Sequence, residues 1–134
     1  MTREFRLVST AGILGYGYPA ASLDAAMEKG VDFIGCDGGS SDPGPYYLGA
    51  GKPFVSLRAM KRDLRLMLIA AIRHKVPMVV GTAGGAGGEP HLQLVAQMVR
   101  DIAHEEHLHF KMALIHSEMD KERIATHVRN GRTR

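Results

Sequence analysis

The 134-residue chain contains no tryptophan, a single cysteine and few aromatic residues of any kind. The lone cysteine, Cys36, excludes an internal disulfide and suits a reducing compartment. No stretch approaches the ~20 consecutive apolar residues that a membrane-spanning helix needs. The first ten residues also lack the apolar core of a secretory signal. These absences predict a cytoplasmic protein that does not act at a membrane.

The net charge is also small, because 17 basic and 14 acidic residues leave an excess of only +3. Part of the excess lies in a short basic tail, residues 131–134, after a single domain predicted over 1–130. A nucleic-acid-binding domain would be expected to carry a broad basic face with interspersed aromatic rings. Here the aromatic residues concentrate in two glycine-rich segments instead. The composition therefore favours a small anionic molecule as partner and argues against nucleic acid.

What the chain does contain is an alternation of apolar runs and helical periodicity. The runs predict strands at Phe5–Ser9, Val31–Cys36, Val76–Gly81 and Phe110–Ile115. Helices are expected between them: after Ser22 and Ser56 as N-caps, from Pro90, and over Met119–Val128. In the longest helix, the apolar residues recur at helical spacing and form one stripe, which comprises Met60, Leu64, Met67, Leu68 and Ala71.

Strands that alternate with helices predict parallel pairing, because each helix returns the chain across a face of the sheet. The fold class is therefore α/β, a Rossmann-like three-layer sandwich with a four-stranded parallel sheet. We expect the strand order 2-1-3-4. Because so small a sheet leaves its edges open, a homodimer is also expected.

The segments that follow the predicted strands differ in composition from those that precede them. "TAGILGYGYP", "DGGSSDPGPYYLGAGKP", "TAGGAGGEPH" and "HSEMD" are rich in glycine, tyrosine and acids, whereas the opposite connections are short and charged. In parallel α/β sheets, ligands bind outside the carboxyl ends of the strands. The second segment, from Asp37 to Pro53, holds too many turn formers for helix or strand. The pattern predicts that function lies on this rim.

One candidate site is the glycine loop before the helix at Pro90. Its backbone amides, together with the amino end of that helix, can bind a phosphate or a carboxylate. Neither the P-loop nor the dinucleotide glycine spacing is present, so NAD is not expected. The alternative is a tight turn that allows close helix–strand packing. The candidate ligand-binding residues here are Thr82, Gly84, Gly85, Gly87, Gly88 and His91.

Acids and a histidine at two strand ends are the candidate catalytic groups. Asp37 directly follows the second predicted strand, while His116 and Glu118 follow the fourth. Such groups serve as general acids and bases, or as ligands of a divalent metal. The alternative for Glu118 is a purely structural role near a helix amino end. Further ligand-binding candidates lie in the tyrosine-containing loops: Gly12, Gly15, Tyr16, Ser40, Asp42, Tyr46 and Tyr47.

Two motifs, "DGGSSDPGPYYLGAG" and "GTAGGAGGEPHL", carry a family resemblance, with "KRDLRLML" between them. Together with "ILGYGYP" and "HFKMALIHSEMDK", they resemble the amino-terminal region of the acyclic terpene utilisation (AtuA-like) family over nearly the whole chain. The family pattern often has Ala at Gly38 and Thr at Ser41. The resemblance implies catabolism of branched organic acids, as CoA thioesters, and a second domain beyond this chain.

Two functions remain open at this stage. The first is an enzyme, or enzyme domain, that hydrates, dehydrates or isomerises a small organic acid or its CoA thioester, with CoA or a divalent metal as the compatible cofactors. The second is a module that binds a metabolite or a partner chain without turnover.

Overall fold

The structure, a computed structural model, describes residues 4–39 and 45–133. It is a mixed α/β fold with a parallel sheet, which confirms the predicted class. The strands are β1 (Leu7–Ser9), β2 (Phe33–Asp37) and β3 (Met78–Gly81). The helices are α1 (Ala20–Glu28), α2 (Tyr46–Ala50), α3 (Leu57–His74), α4 (Glu89–Glu105) and α5 (Lys121–Arg129), with a 3₁₀ turn at Ala83–Gly85.

Helix α3 forms as its periodicity predicts. It begins after Ser56 and ends at Lys75, whose φ of 57° is left-handed. Every member of the predicted apolar stripe is buried. The helix packs between α1 and α4, so this stripe forms the middle of the core.

Two local predictions were wrong. Ser22 lies inside α1, whose N-cap is Pro19, because a fixed proline φ suits the residue that precedes the first turn. The segment predicted to lack regular structure contains α2. The first helical residue follows Pro45, and Gly51, with a φ of 62°, ends the helix in the left-handed region.

The order of the strands is β1-β2-β3, so the predicted order 2-1-3-4 was wrong. Val8 lies beside Ile34, and Ile34 lies beside Met78, which makes β2 the central strand. The crossover from β1 to β2 and the crossover from β2 to β3 both move towards the same edge of the sheet. Because parallel crossovers are right-handed, two that move in one direction place their helices on the same face of the sheet.

The described part of the chain therefore has two layers, and the expected three-layer sandwich is not formed. The core side chains of the sheet, such as Ile34 and Cys36, all face the helices. On the other face, Leu7 is 64% exposed and Val79 is 51% exposed. The ring of Phe33 lies across Gly35 on that face and covers part of it.

The fourth predicted strand, Phe110–Ile115, is not a strand in the structure. Among the described residues, no backbone hydrogen bond joins it to β3. Its apolar side chains have another use, since Phe110 and Met112 line a groove of about 330 Å³ against Arg100 and Ala103 of α4. The apolar run that predicted a strand therefore lies beside the carboxyl-terminal part of α4, with Phe110 and Met112 37% and 38% exposed.

Helix α5 follows this extended segment. Asp120 caps it by accepting a hydrogen bond from the amide of Arg123 at 2.8 Å. None of its residues is buried. No helix within residues 4–39 and 45–133 is long and apolar enough to cross a membrane.

Candidate functional site

The loops that follow the three strands meet at the carboxyl edge of the sheet. The amide of Leu14 donates to the carbonyl of Asp37 at 2.7 Å, and the amide of Gly38 donates to the carbonyl of Gly81 at 2.6 Å. A Cβ at Gly39 would overlap the backbone of Gly85. The loops that carry the predicted site residues after β1, β2 and β3 therefore converge at one edge of the sheet.

Close approach is also the reason for glycine at position 38. A Cβ there would lie 2.6 Å from the carbonyl oxygen of Gly81, nearer than real Cβ atoms come. The alanine that the resembled family often carries at this position does not fit this backbone. This loop therefore depends on a residue at which the chain departs from the family pattern.

The glycine loop 81–88 is shaped for contact with α4. Gly84 has a φ of 72°, and a Cβ on it would lie 2.7 Å from Cβ of His91. Gly85 and Gly87 also have positive φ, as does Thr82 at 45°. The turn Ala83–Gly85 is buried, so the close-packing interpretation describes this half of the loop.

His91 is buried beneath that loop, with 0% exposure. Its Nε2 donates to the carbonyl of Lys52 at 3.0 Å, because a carbonyl oxygen can only accept. Nδ1 is buried without a hydrogen-bond partner among the residues that the structure describes. In a neutral ring held this way, Nδ1 is a free acceptor.

The segment 116–118 is bound to the amino end of α4. Oε1 of Glu118 accepts from the amide of Glu89 at 2.9 Å, and the hydroxyl of Ser117 donates to the carbonyl of Gly87 at 2.8 Å. The first and last predicted catalytic residues of this segment, His116 and Glu118, thus lie beside the predicted glycine loop. The side chains of residues 116–118 thus bind to groups that lie 27 to 30 positions earlier in the chain.

His116 and Glu89 form a pair on this surface. Nδ1 of His116 lies 2.7 Å from Oε2 of Glu89, and both side chains are about half exposed. The hydrogen bond from Gln93 lowers the pKa of Glu89, and the hydrogen bond with His116 lowers it further. A histidine held by a carboxylate is an arrangement suited to proton transfer.

Asp37 is exposed at the end of β2. Its Oδ1 accepts from the amide of Gly39 at 3.1 Å, as in an Asx turn. Ser40 and Asp42, predicted to bind ligand, lie outside the described residues.

The tyrosines of the two loops do not form one cluster. Tyr46 packs edge-on against Tyr47 at 5.2 Å between ring centroids, and Tyr47 packs on Phe54. Tyr16 is exposed. Tyr18 instead lies under the guanidinium of Arg62, 5.6 Å from its ring centroid.

The sequence interpretation missed Asp63, the residue that holds the first glycine loop in place. Its carboxylate is fully buried, and Oδ2 accepts from the amides of Gly15 and Gly17, both at 3.0 Å. Oδ1 accepts from Arg62 at 2.8 Å. A signal was available, because an aspartate three residues after Met60 falls on the apolar stripe. Gly15 thus has an internal partner, while Gly12 is exposed.

Within the described ranges, no group of three or more histidine, cysteine, aspartate or glutamate side chains is placed to hold a metal ion. The groove against α4 lies towards the carboxyl end of that helix, away from the glycine loop at its amino end.

Comparison with known proteins found no matching family model, no similar curated protein and no similar solved structure. The resemblance to the acyclic terpene utilisation family therefore stays a prediction. What the site does must be argued from its own geometry.

Proposed function

We propose that the protein is an enzyme, or a domain of one, that acts on a small organic acid or its CoA thioester by hydration, dehydration or isomerisation. The observation that supports this most directly is the pair of His116 and Glu89, 2.7 Å apart at the amino end of α4. A helix amino end favours negative charge. These reactions need a group that transfers a proton and a group that stabilises negative charge, and the pair and the helix end are suited to these two roles.

Hydration delivers a proton to the carbon next to a carbonyl group, whereas dehydration and isomerisation remove a proton from that carbon. His116 takes that proton, and Glu89 orients the ring and stabilises its cation. The negative charge that develops on the carbonyl oxygen is stabilised by the helix end when that oxygen replaces Glu118 on the amide of Glu89. In dehydration the hydroxyl on the next carbon must also be protonated, so that it leaves as water.

Asp37 is the second proton-transfer group in this proposal. One of its carboxylate oxygens accepts from Gly39, which fixes the side chain at the same edge of the sheet. The other oxygen remains for a proton. Glu118 is not required for this chemistry, because its carboxylate is bonded to the amide of Glu89.

A panel of short enoyl-CoA and hydroxyacyl-CoA thioesters tests the proposal. His116→Gln should lower turnover by about 100-fold or more, since general acid–base catalysis contributes ~10²–10⁴. Asp37→Asn should also abolish turnover while the melting temperature stays within a few degrees. His104→Gln, an exposed histidine in the last turn of α4, is the matched control. Undiminished turnover in both His116→Gln and Asp37→Asn would contradict the assignment.

A binding module without turnover is the second candidate. The observation that favours it is that both Glu118 and Asp37 accept hydrogen bonds from backbone amides. Calorimetry with the same panel separates the candidates. If thioesters bind but are not converted, and Asp37→Asn changes affinity alone, the module is the correct function.

The proposal includes the protein's family, compartment and assembly. Motif likeness supports membership of the acyclic terpene utilisation family, and the buried lone cysteine, Cys36, suits the cytoplasm. Self-association would cover the sheet face that exposes Leu7 and Val79. Light scattering at two protein concentrations checks that expectation.

A further inference from the structure

The amino end of α4 already holds a carboxylate. The N-cap residue, Gly88, has no side chain with which to satisfy the free amides of the first turn. Oε1 of Glu118, 29 residues further along the chain, accepts from the amide of Glu89 at 2.9 Å. The chain therefore places one of its own carboxylates where a helix end binds an anion.

A second group points to the same place. Within the described part of the chain, Nδ1 of His91 is buried without a hydrogen-bond partner, although buried polar atoms in proteins almost always have one. A Cβ built on Gly88 would lie 3.5 Å from this Nδ1 and 3.6 Å from Oε1 of Glu118. The free acceptor and the bound carboxylate thus lie near one point beside Gly88, and Cδ1 of Leu48, 3.0 Å from that point, must move when a ligand enters.

Among residues 4–39 and 45–133, the Glu118 segment is held by few hydrogen bonds. They are the hydrogen bonds of Ser117 and Glu118 and the pair of His116 with Glu89. Ile115 and Met119, on either side, are 86% and 60% exposed, so little apolar burial opposes displacement of the segment.

We propose that the amino end of α4 is a subsite for the carboxylate of a hydroxy acid, and that Glu118 is its internal competitor. The ligand's carboxylate replaces Glu118 on the amide of Glu89, and its hydroxyl donates to Nδ1 of His91. This assignment rests on the proposed function, because it names the substrate class of that site. It also accounts for the histidine acceptor, Nδ1 of His91, that has no partner among the described residues.

An internal competitor lowers apparent affinity in proportion to the time for which it occupies the site. Glu118→Ala should therefore bind lactate more tightly than the unmodified protein, by about tenfold if Glu118 fills the site nine-tenths of the time. Glu122→Ala removes an exposed glutamate of α5 and serves as the matched control, with unchanged affinity. Calorimetry gives the affinities, and the amide resonance of Glu89 reports the location.

Lactate and propionate differ by the hydroxyl group, so their comparison tests the role of His91. Lactate should bind more tightly than propionate, and His91→Gln should remove this preference. Glutamine keeps a donor for the carbonyl of Lys52 but lacks the acceptor at Nδ1. Should His91→Gln not fold, the Glu118→Ala affinity and the Glu89 resonance decide the question.

The failures of the two proposals are distinguishable. Equal lactate affinity in the unmodified protein and Glu118→Ala, with the Glu89 resonance unmoved, overturns the subsite and leaves the enzyme proposal intact. Binding of neither acid by either protein overturns the subsite as well. If the thioester panel is then also neither bound nor converted, the proposed function fails with it.

Discussion

Replacing Asp63 with asparagine tests the main structural finding of the candidate site. The substitution keeps the size of the side chain and removes the negative charge. In the native protein one carboxylate oxygen accepts from Gly15 and Gly17, and the other accepts from Arg62. Asparagine can accept with one oxygen only, so its NH₂ group must face either the two amides or the guanidinium.

The expected cost follows from these bonds. A charge-assisted hydrogen bond is roughly twice as strong as a neutral one, so each glycine amide loses about 1 kcal/mol. The side chain of Arg62 is half exposed, so solvent screening limits its ion pair to less than about 1 kcal/mol. Together these changes predict that Asp63→Asn lowers the free energy of unfolding by about 2 to 3 kcal/mol. That is a large part of the ~5–15 kcal/mol of a typical domain.

Urea unfolding measures the loss directly. With a slope of ~1–3 kcal/mol per molar urea, the midpoint should fall by about 1 M or more. Hydrogen exchange at the amides of Gly15 and Gly17 should accelerate, because their acceptor has weakened. Asp101→Asn, an exposed aspartate on α4, is the control and should change stability by less than about 0.5 kcal/mol. The reasoning is refuted if Asp63→Asn costs less than about 1 kcal/mol and exchange at both glycines is unchanged.

Three further predictions concern the glycine loop 81–88, the carboxyl group of Glu89 and the thiol of Cys36. Gly84→Ala should cost about 2 kcal/mol in urea unfolding, since its φ is 72° and a Cβ meets α4 at 2.7 Å, whereas Gly12→Ala, with open space around it, should cost little. Gln93→Ala should raise the pKa of Glu89 towards its ordinary value, measured by NMR titration of the carboxyl carbon. Because the folded pKa is the lower one, Glu89 stabilises the native protein above its unfolded pKa and loses that contribution as pH falls through the folded value. Burial raises the pKa of the Cys36 thiol, so Ellman's reagent should react with the folded protein on the order of tenfold or more slowly than with the chain in urea.

Much of the fold could be predicted from local pattern. The stripe from Met60 to Ala71 has helical spacing, and it forms a buried helix face. The apolar runs at Val31–Cys36 and Val76–Gly81 overlap β2 and β3 closely. Such features depend on residues only a few positions apart, which is why one sequence suffices to find them.

The failures have a common origin in contacts between distant residues. The pattern of Phe110–Ile115 suits a strand, yet this segment lies outside the sheet, where Phe110 and Met112 line a groove beside α4. Whether an apolar run pairs with an edge strand or lies beside a helix depends on which element is accessible to it in the folded protein. The sequence of the run does not contain that information. The same holds for Asp63, whose partners lie 46 and 48 residues away.

The site shows the same division. Sequence alone placed Asp37 and the glycine loop at one edge of a parallel sheet, because the carboxyl ends of parallel strands share an edge. The same expectation for His116 depended on a fourth strand that the described residues do not form, and His116 instead reaches this edge through its hydrogen bond with Glu89. The tertiary structure decided how those residues are used. It paired His116 with Glu89, bonded Glu118 to the end of α4 and left Nδ1 of His91 free. Whether a residue follows the carboxyl end of a strand depends on its neighbours in the sequence. Its hydrogen-bond partners, in contrast, depend on which distant segments meet in the folded protein.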